Sequence, residues 1–375
     1  MEREESVEFD DPLNIQYTSG TTGYPKGVVL SHHSVLNNGM LIGDGMKFTE
    51  KDRLCIPVPF YHCFGMVLSN MACMTHGATM ILPSPYFDVE AVLKTVQDER
   101  CTALHGVPTM FISELEHPNL SRYNLSTLRT GIMGGSTCPI DVMRKVSEKM
   151  HISDIVIVYG LTEASPGITM STTDDSLELR VTTVGKVLPH TEIIIKDPKT
   201  GHIVPKGVSG EICSRGYMNM KYYYNNPSAT SKAIDNNGWL HTGDLGVMDL
   251  DGYIRIVGRL KEIVIRGGEN IYPREIEELL QLHPKISDVY VIGVPDAKYG
   301  EELMAWIKVV PGSTINEEEV KQFFDGKISR YKIPKYYKFV DSFPLTATGK
   351  VRKSEMQRIS IIELGLESIA KINTD

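Results

Sequence analysis

The sequence predicts an α/β protein in which a strand–helix alternation is followed by a block of short strands and then by a compact α+β unit. Apolar strand-like segments alternate with amphipathic helical ones through the first half of the chain, and glycine turns separate short strands from Val181 to Val257. Strand–helix alternation is typical of a parallel sheet. The 375 residues, 41% of them hydrophobic and 23% charged, indicate two or three globular domains.

Composition excludes several classes of protein. The net charge of −8 disfavours unselective binding to nucleic acids or anionic membranes. The most apolar run, Phe64 to Met74, is interrupted by Ser69 and Asn70, is far shorter than the roughly 18 residues of a membrane span, and predicts a buried helix. The six cysteines have neither C-x-x-C pairing nor metal-ligand spacing, so buried, reduced thiols in a non-secreted protein are expected.

The first element is a short strand, Ile15 to Tyr17, that leads into a loop dense in hydroxyls and glycines. Residues 17–27 read YTSGTTGYPKG. Glycines let the backbone approach a ligand closely, hydroxyls and backbone N–H groups bind anions, and Lys26 suits phosphate oxygens. The loop is therefore predicted to hold a polyphosphate, although its spacing is not that of the P-loop. The alternative is a flexible linker, which Pro25 and the flanking apolar runs disfavour.

The elements that follow predict the parallel sheet. Ser31 is a suitable N-cap for a helix through about Met46, and the prolines of residues 55–65 present Tyr61 and His62 on a loop. Further strands and helices are predicted at Thr79–Leu82, Val89–Glu99, Ala103–Val107, Thr109–Glu116, Thr130–Met133 and Asp154–Gly160. Gly134-Gly135-Ser136 and Leu161-Thr162-Glu163 follow two of these strands, at the sheet edge where open α/β sheets bind ligands.

The remaining elements are short strands and a C-terminal unit. Asp251-Gly252 predicts a hairpin inside a small antiparallel barrel or sheet, and Pro273 predicts a helix start. The C-terminal elements are strands at Asp288–Gly293, Met304–Val309 and Tyr337–Val340 and a helix at Glu317–Lys327. Residues 364–369 look like a carrier-protein serine site, but a plain C-terminal helix is expected there.

Residues 19–27, SGTTGYPKG, resemble the AMP-binding signature of the adenylate-forming superfamily, which includes acyl-CoA synthetases, firefly-type luciferases and peptide-synthetase adenylation domains. The resemblance extends through residues 159–163, 242–244, 258–273 and 344–353, and residues 266–273 and 331–335 most resemble medium-chain acyl-CoA synthetases of the family-member-2 kind. It implies the adenylate-forming enzyme fold: a partial large domain, with a parallel α/β sheet and a small β-barrel, plus a smaller mobile C-terminal α+β domain.

The resemblance also implies roles for individual residues. The implied catalytic residues are Lys350, Lys26, Thr162 and Glu163, with Glu163 as the Mg²⁺ ligand. The implied ATP and AMP site comprises Thr18, Ser19, Gly20, Thr21, Thr22, Gly23, Tyr24, Pro25, Lys26, Gly135, Ser136, Tyr159, Gly160, Thr162, Asp244, Arg259 and Lys350. Lys261 would be the interdomain hinge, Gly267 and Gly268 the CoA passage, and His62 the acyl gate, with Val107 to Met110 and Ser165 as further acyl-pocket candidates.

The implied reaction is a two-step ligation. A fatty acid, expected to be of medium chain length, reacts with Mg·ATP to give acyl-AMP and pyrophosphate, and CoA then displaces AMP after the small domain rotates about Lys261. The expected partners are a fatty acid, ATP and CoA, without nucleic acid or a transmembrane segment. The expected domains are residues 1–180, a β-rich part at 181–260, a C-terminal domain at 261–360 and a tail at 361–375.

One departure from the family pattern keeps alternatives open. Family members carry a large segment before the phosphate loop, whereas here the loop begins at Tyr17, so an N-terminally truncated chain is expected. A non-catalytic nucleotide-binding remnant is then one alternative, and a relative with a different acid or acceptor, luciferase-like or peptide-synthetase-like, is another. An intracellular location is expected, in the mitochondrial matrix by resemblance, with the cytoplasm as the alternative.

Overall fold

The computed structural model describes residues 6–18, 25–136, 138–346 and 351–372. The strands, in chain order, are β1 (Pro12–Thr18), β2 (Lys26–Ser31), β3 (Arg53–Cys55), β4 (Thr79–Ile81), β5 (Ala103–Leu104), β6 (Thr130–Gly134), β7 (Asp154–Gly160), β8 (Gly167–Met170), β9 (Lys186–Val187), β10 (Thr191–Lys196), β11 (Gly210–Gly216), β12 (Tyr222–Tyr223), β13 (Leu240–Met248), β14 (Ile254–Arg259), β15 (Val264–Arg266), β16 (Glu269–Ile271), β17 (Ile286–Asp296), β18 (Gly300–Val309) and β19 (Tyr336–Phe339).

The α-helices are α1 (His32–Gly45), α2 (Ala72–His76), α3 (Val89–Asp98), α4 (Pro108–Leu115), α5 (Ile140–Lys149), α6 (Leu177–Thr182), α7 (Pro227–Ala233), α8 (Pro273–Gln281), α9 (Glu317–Phe323), α10 (Lys353–Glu363) and α11 (Glu367–Ile372). A π-helix covers Phe64–Met71, and 3₁₀ turns that concern the site cover Thr162–Ala164 and Leu260–Glu262. None of these helices, within the described ranges, is long and apolar enough to cross a bilayer.

The chain forms two compact units. The first comprises Met1–Thr242 and Gly246–Ile256, and the second comprises Gly243–Leu245 and Val257–Asp375. Strand β13 therefore contributes residues to both units.

The largest sheet of the first unit has seven strands in the order β4-β3-β5-β6-β7-β8-β9. The first five are parallel, as the strand–helix alternation predicted. Successive residues of β6 point to opposite faces, so that Ile132 packs in one apolar cluster and Met133 in the other. Strand β8 pairs antiparallel with β7, and β9 pairs antiparallel with β8, an addition to the sheet that the sequence did not predict.

The phosphate-binding segment belongs to a separate sheet. Strands β1 and β2 form an antiparallel hairpin in which Thr18 is opposite Lys26, and β12 pairs with the other side of β2. A Cβ atom on Gly27 would lie 2.8 Å from Ile15 Cγ2 and 3.3 Å from Tyr224 Cβ. Glycine is therefore required at the start of β2, directly after the loop.

The helix after this hairpin begins as predicted. Ser31 is its N-cap, and the side chain of Ser31 accepts a hydrogen bond from the backbone N–H of Ser34. The buried helix predicted at Phe64–Met74 is divided into a π-helix and α2. A Cβ atom on Gly39 of α1 would lie 2.3 Å from Met71 Cβ, so a glycine allows α1 and the π-helix to pack this closely.

The short-strand block forms a four-stranded sheet in the order β10-β11-β13-β14, in which β10 and β11 are antiparallel. The predicted hairpin at Asp251-Gly252 is present: Asp249 N donates to Tyr253 O at 2.9 Å, and Gly252 has φ of +89°. Two short strands of this block pair outside the small sheet that the sequence predicted. Lys186–Val187 pairs with β8 in the large sheet, and Tyr222–Tyr223 pairs with β2.

The second unit has its own core beneath a five-stranded sheet. The order β16-β15-β18-β17 is antiparallel, with β19 added parallel to β18, and α8 begins at Pro273 as predicted. The Nζ of Lys353 lies 2.8 Å from Glu277 Oε1 and 3.0 Å from Glu262 Oε2. This ammonium group joins α10 to α8 and to the turn at Leu260–Glu262.

Asp288 of β17 gives the second unit a defined pH dependence. Burial raises the pKa of Asp288 to about 6. The negative charge of Glu277 acts in the same direction, whereas the hydrogen bond donated by Val289 N opposes the shift. The folded state then binds this proton more tightly than the unfolded state, so stability is lost as the pH rises from about 4 to about 6.

We expect Asp288→Asn to flatten this dependence and to stabilise the second unit by about 1–2 kcal/mol at pH 7.5. Urea unfolding followed by Trp306 fluorescence in a Trp239→Phe background would measure it, because these are the two tryptophans of the chain. The matched control is Asp325→Asn, since Asp325 is exposed. The role given to Asp288 would be contradicted if the free energy of unfolding changed between pH 5 and pH 7.5 by the same amount in Asp288→Asn as in the wild type.

Candidate active site

The described ends of the phosphate loop lie at the mouth of the β1–β2 hairpin. Thr18 closes β1, and its Oγ1 lies 3.5 Å from Lys26 O, while Pro25 directly precedes β2. Ser19, Gly20, Thr21, Thr22, Gly23 and Tyr24 lie outside the described residues. Lys26 places its Nζ 4.5 Å from the centroid of the Tyr223 ring, in the geometry of a cation–π contact.

Tyr223 connects this lysine to a carboxylate. Its hydroxyl donates to Glu163 Oε1 at 2.6 Å, and Met220 N donates to Glu163 O at 2.7 Å. Burial raises the pKa of Tyr223 above its ordinary range, and the charge of Glu163 adds to the effect. The phenol therefore keeps its proton and orients Glu163.

Glu163 satisfies the requirements of a Mg²⁺ ligand. Tyr223 uses one of about four lone-pair positions of this carboxylate, which leaves acceptor capacity for a metal ion. A partly buried carboxylate oxygen is the ligand type that Mg²⁺ prefers. The role assigned to Glu163 from the sequence thus remains a prediction that its surroundings fit.

Thr162 and His62 lie on either side of a buried cysteine. Thr162 Oγ1 is 3.6 Å from Cys63 Sγ, and His62 Nδ1 is 3.9 Å from the same sulfur. Because Phe64 N donates to His62 Nδ1 at 3.1 Å, the neutral imidazole carries its proton on Nε2. His62, predicted as the acyl gate, and Thr162, predicted to contact phosphate, therefore both contact the same cysteine.

The acyl-pocket candidates divide into two groups. Val107 and Met110 pack against the apolar cluster that contains Phe64 and Leu68 of the π-helix next to His62. Ser165 is buried, and its hydroxyl donates to Met218 O at 2.7 Å. Val107 and Met110 therefore contact the apolar cluster to which Phe64 and Leu68 belong, whereas the hydroxyl of Ser165 is used within the fold.

The strand-end motifs lie at one edge of the large sheet. Gly134 and Val158 are opposite one another in the parallel β6–β7 pair, so Gly135-Ser136, directly after β6, and Tyr159-Gly160, the last two residues of β7, lie at the carboxyl ends of neighbouring strands. Gly135 has φ of +85°. These positions match the edge at which the sequence predicted a ligand.

The second unit contains a separate group of predicted residues. Arg259 Nε donates to Asp244 Oδ1 at 2.7 Å, so the buried Asp244 carboxylate is held in place by a guanidinium that is nearly half exposed. Gly243, directly before it, has φ of +71°. Asp244 and Arg259 are therefore in contact with one another, while the predicted contact of both with ribose remains a prediction.

Four further predicted residues belong to the second unit, and three of them lie within the described residues. Lys261 lies exposed in the turn Leu260–Glu262, four residues beyond the start of this unit at Val257. Gly267 and Gly268 form the two-residue turn of the β15–β16 hairpin, with φ of +60° and +90°, and this turn explains both glycines without a ligand. Lys350 lies outside the described residues.

Sequence analysis missed Tyr223. It lies 60 residues beyond Glu163, in no motif, and only the pairing of β12 with β2 brings it to the site. The run of three tyrosines at 222–224, next to a strand pattern, was the available signal.

We expect Tyr223→Phe to destabilise the first unit by about 1–2 kcal/mol and to weaken Mg·ATP binding, because the ring would stay beneath Lys26 while Glu163 lost its donor. Urea unfolding followed by Trp239 in a Trp306→Phe background and nucleotide titration would measure both effects. Tyr222→Phe is the matched control, since the neighbouring side chain points to the opposite face of the strand and is 40% exposed. The role given to Tyr223 would be contradicted if Tyr223→Phe and Tyr222→Phe had the same free energy of unfolding and the same affinity for Mg·ATP.

The chain matches known proteins over most of its length. It is 56% identical over 367 residues to the putative acyl-CoA synthetase YngI of Bacillus subtilis. This alignment covers 98% of this chain and 67% of the relative. It is 45% identical over 359 residues to a mitochondrial medium-chain acyl-CoA ligase of Danio rerio, covering 95% of this chain and 59% of the relative. The chain therefore spans roughly three fifths to two thirds of the length of these curated relatives.

A solved structure gives the same result. The crystal structure of ATP-bound MatB from Rhodopseudomonas palustris superposes with a TM-score of 0.87 at 35% identity, covering 94% of this chain and 69% of that one. Residues 1–224 match the AMP-binding enzyme family, and residues 275–350 match the AMP-binding enzyme C-terminal domain. These matches explain both the adenylate-forming enzyme fold and the loop motif at residues 19–27: the chain belongs to the AMP-binding enzyme family.

Proposed function

We propose that this chain is an AMP-forming acid–CoA ligase that activates a medium-chain fatty acid. The carboxylate attacks the α-phosphorus of ATP, forming acyl-AMP and releasing pyrophosphate, and the CoA thiolate then attacks the acyl carbonyl and releases AMP. The observation that carries the proposal is the arrangement of Lys26, Tyr223 and Glu163, which fixes a cation and a carboxylate beside the predicted phosphate loop. The acyl-CoA synthetase and ligase names of the relatives support it.

Charge separation is the main requirement of the first step, since an anionic carboxylate must approach an anionic polyphosphate. Lys26 begins β2, directly after Pro25 of the loop motif, and would bind phosphate oxygens. Mg²⁺ held by Glu163 would offset the charge of the leaving pyrophosphate. Thr162, adjacent to Glu163, would donate its hydroxyl to a phosphate oxygen.

The family resemblance assigns ribose contacts to Asp244 and Arg259 and makes Lys350 the second lysine of the proposed reaction. Asp244 accepts from Arg259 through one oxygen and would accept ribose hydroxyls as charge-assisted hydrogen bonds. Described residues on both sides of Lys350 are fixed, because Leu345 and Val351 form an antiparallel bridge and Arg352 N donates to Pro344 O at 2.8 Å. We assign Lys350 to the carboxylate and α-phosphate on the resemblance of residues 344–353 to the family's closing motif.

The acyl chain would lie against the cluster of Phe64, Leu68, Val107 and Met110, with His62 at its entrance. An apolar wall of this kind provides no partner for a second carboxylate or a polar chain, and it therefore favours a fatty acid.

Within the proposed pathway, Lys261 is the hinge and Gly267-Gly268 the CoA passage. The reaction would take place inside the cell, where ATP and CoA are available, and one relative is named as mitochondrial.

We expect acid-dependent ATP–pyrophosphate exchange from the 375-residue chain, with its maximum at medium-chain fatty acids. Lys350→Ala should lower the exchange by roughly 10²–10³-fold, because it removes a charge that acts on the transition state. Lys298→Ala is the control, since Lys298 is an exposed lysine of the same unit. Added CoA should convert acyl-AMP to acyl-CoA. No exchange from a folded chain would favour a nucleotide-binding remnant, and light emission with luciferin would favour a luciferase-like relative.

The acyl-pocket assignment has a test of its own. We expect Met110→Phe to move the preferred fatty acid to a shorter chain, because the larger ring would fill space beside Val107. The control is Met74→Phe, since Met74 is 61% exposed and outside the cluster. The ratio of kcat/KM for octanoate and dodecanoate in the two variants would decide it, and an unchanged ratio in Met110→Phe would remove Met110 from the pocket.

A further inference from the structure

Three metal-ligating side chains meet on the small antiparallel sheet, apart from the residues assigned to nucleotide or acid. Glu211 and Cys213 are two residues apart on β11 and therefore point to the same face, and His241 lies on the neighbouring strand β13. Glu211 and Cys213 are buried, whereas the side chain of His241 is 30% exposed. All three lie in the first unit.

Their separations are close to those of ligands on one tetrahedral ion. His241 Nδ1 is 3.5 Å from Cys213 Sγ and 2.7 Å from Glu211 Oε2, and the sulfur is 4.0 Å from that oxygen. Zinc bonds of about 2.0–2.3 Å at tetrahedral angles require ligands about 3.3–3.6 Å apart. The sulfur–nitrogen distance already fits, and the other two must change by about half an ångström, as the Glu211–His241 hydrogen bond is replaced by two metal bonds.

A second carboxylate lies behind the imidazole. Asp235 Oδ2 is 3.5 Å from His241 Nε2 and accepts from Lys196 Nζ at 3.0 Å. The other oxygen of Asp235 accepts from Asn237 N and Trp239 N, at 2.9 and 3.0 Å. A carboxylate that accepts from Nε2–H leaves the Nδ1 lone pair for a metal, which is the usual outer arrangement of a zinc-bound histidine.

The ligand set selects the kind of ion. A thiol, an imidazole and one carboxylate suit a borderline or soft cation, whereas Mg²⁺ prefers oxygen ligands alone. On binding, Cys213 loses its proton to solvent, and the proton of the hydrogen bond between Glu211 and His241 Nδ1 is replaced by one on Nε2, the nitrogen that faces Asp235. The two anionic ligands, Cys213 and Glu211, then balance the two charges of the ion. Water would complete the coordination from the exposed side of His241.

We propose that Glu211, Cys213 and His241 form a binding site for a thiophilic divalent cation of the Zn²⁺ class, which cross-links β11 and β13. The site uses neither the phosphate loop nor Glu163 and is independent of the proposed ligase activity. Its expected effect is to stabilise the first unit, because the ion joins neighbouring strands of the folded sheet and has no such site in the unfolded chain.

The test is titration of the chelator-treated, full-length chain with Co²⁺, which replaces Zn²⁺ and is coloured. We expect one equivalent to bind with tetrahedral visible bands and a thiolate-to-cobalt charge-transfer band, Zn²⁺ to displace it, and millimolar Mg²⁺ to leave it in place. Zn²⁺ should also raise the Tm.

Variants identify the ligands. Cys213→Ser should abolish the charge-transfer band, and His241→Gln should weaken Zn²⁺ binding at least tenfold. Cys138→Ser is the matched control, because Cys138 is a partly exposed thiol outside the cluster. His241→Gln changes a partly exposed side chain, so it decides the matter if Cys213→Ser does not fold. The proposal is overturned if the folded wild-type chain shows no charge-transfer band or if Cys138→Ser abolishes the band. It is also overturned if His241→Gln binds Zn²⁺ as tightly as the wild type does.

Discussion

The hydrogen bond between the Tyr223 hydroxyl and Glu163 Oε1 connects the two parts of the first unit on which its chemistry depends. Tyr223 is positioned by the pairing of β12 with β2, and Glu163 by the turn that follows β7 of the large sheet. The face of the same ring contacts the ammonium group of Lys26, while its hydroxyl binds the carboxylate. One neutral, buried side chain therefore holds two opposite charges in fixed positions, as a pre-organised phosphate and metal site requires.

The two proposed metal positions differ in the hardness of their ligands. Glu163 offers oxygen, which suits Mg²⁺ accompanying a polyphosphate, whereas Cys213 and His241 offer sulfur and nitrogen. An ion of the Zn²⁺ class at the second position would have a structural role on the small sheet, while Mg²⁺ at the first would arrive with its substrate. This difference in ligand type would let a single chain bind the two cations at separate positions.

Local sequence patterns predicted most elements of the fold. The N-cap at Ser31, the proline that begins α8 and the hairpin at Asp251-Gly252 are short-range signals, and each is found where it was predicted. The predictions were less successful where neighbours decided the structure. Strands β8 and β9 are short and pair antiparallel at the end of the large sheet, and the Phe64–Met74 helix changes type where it packs closely against Gly39.

The sequence by itself determined the family, the order of elements and the residue types at the phosphate loop and strand ends. It could do so because hydroxyls, glycines and a lysine at fixed spacing in one loop carry their chemistry locally. Only the tertiary structure brought Tyr223 to Glu163, across 60 residues, and His241 to Cys213, across 28 residues. Contacts of this kind depend on which strands pair and in which register, and neither is encoded in the spacing of the residues along the chain.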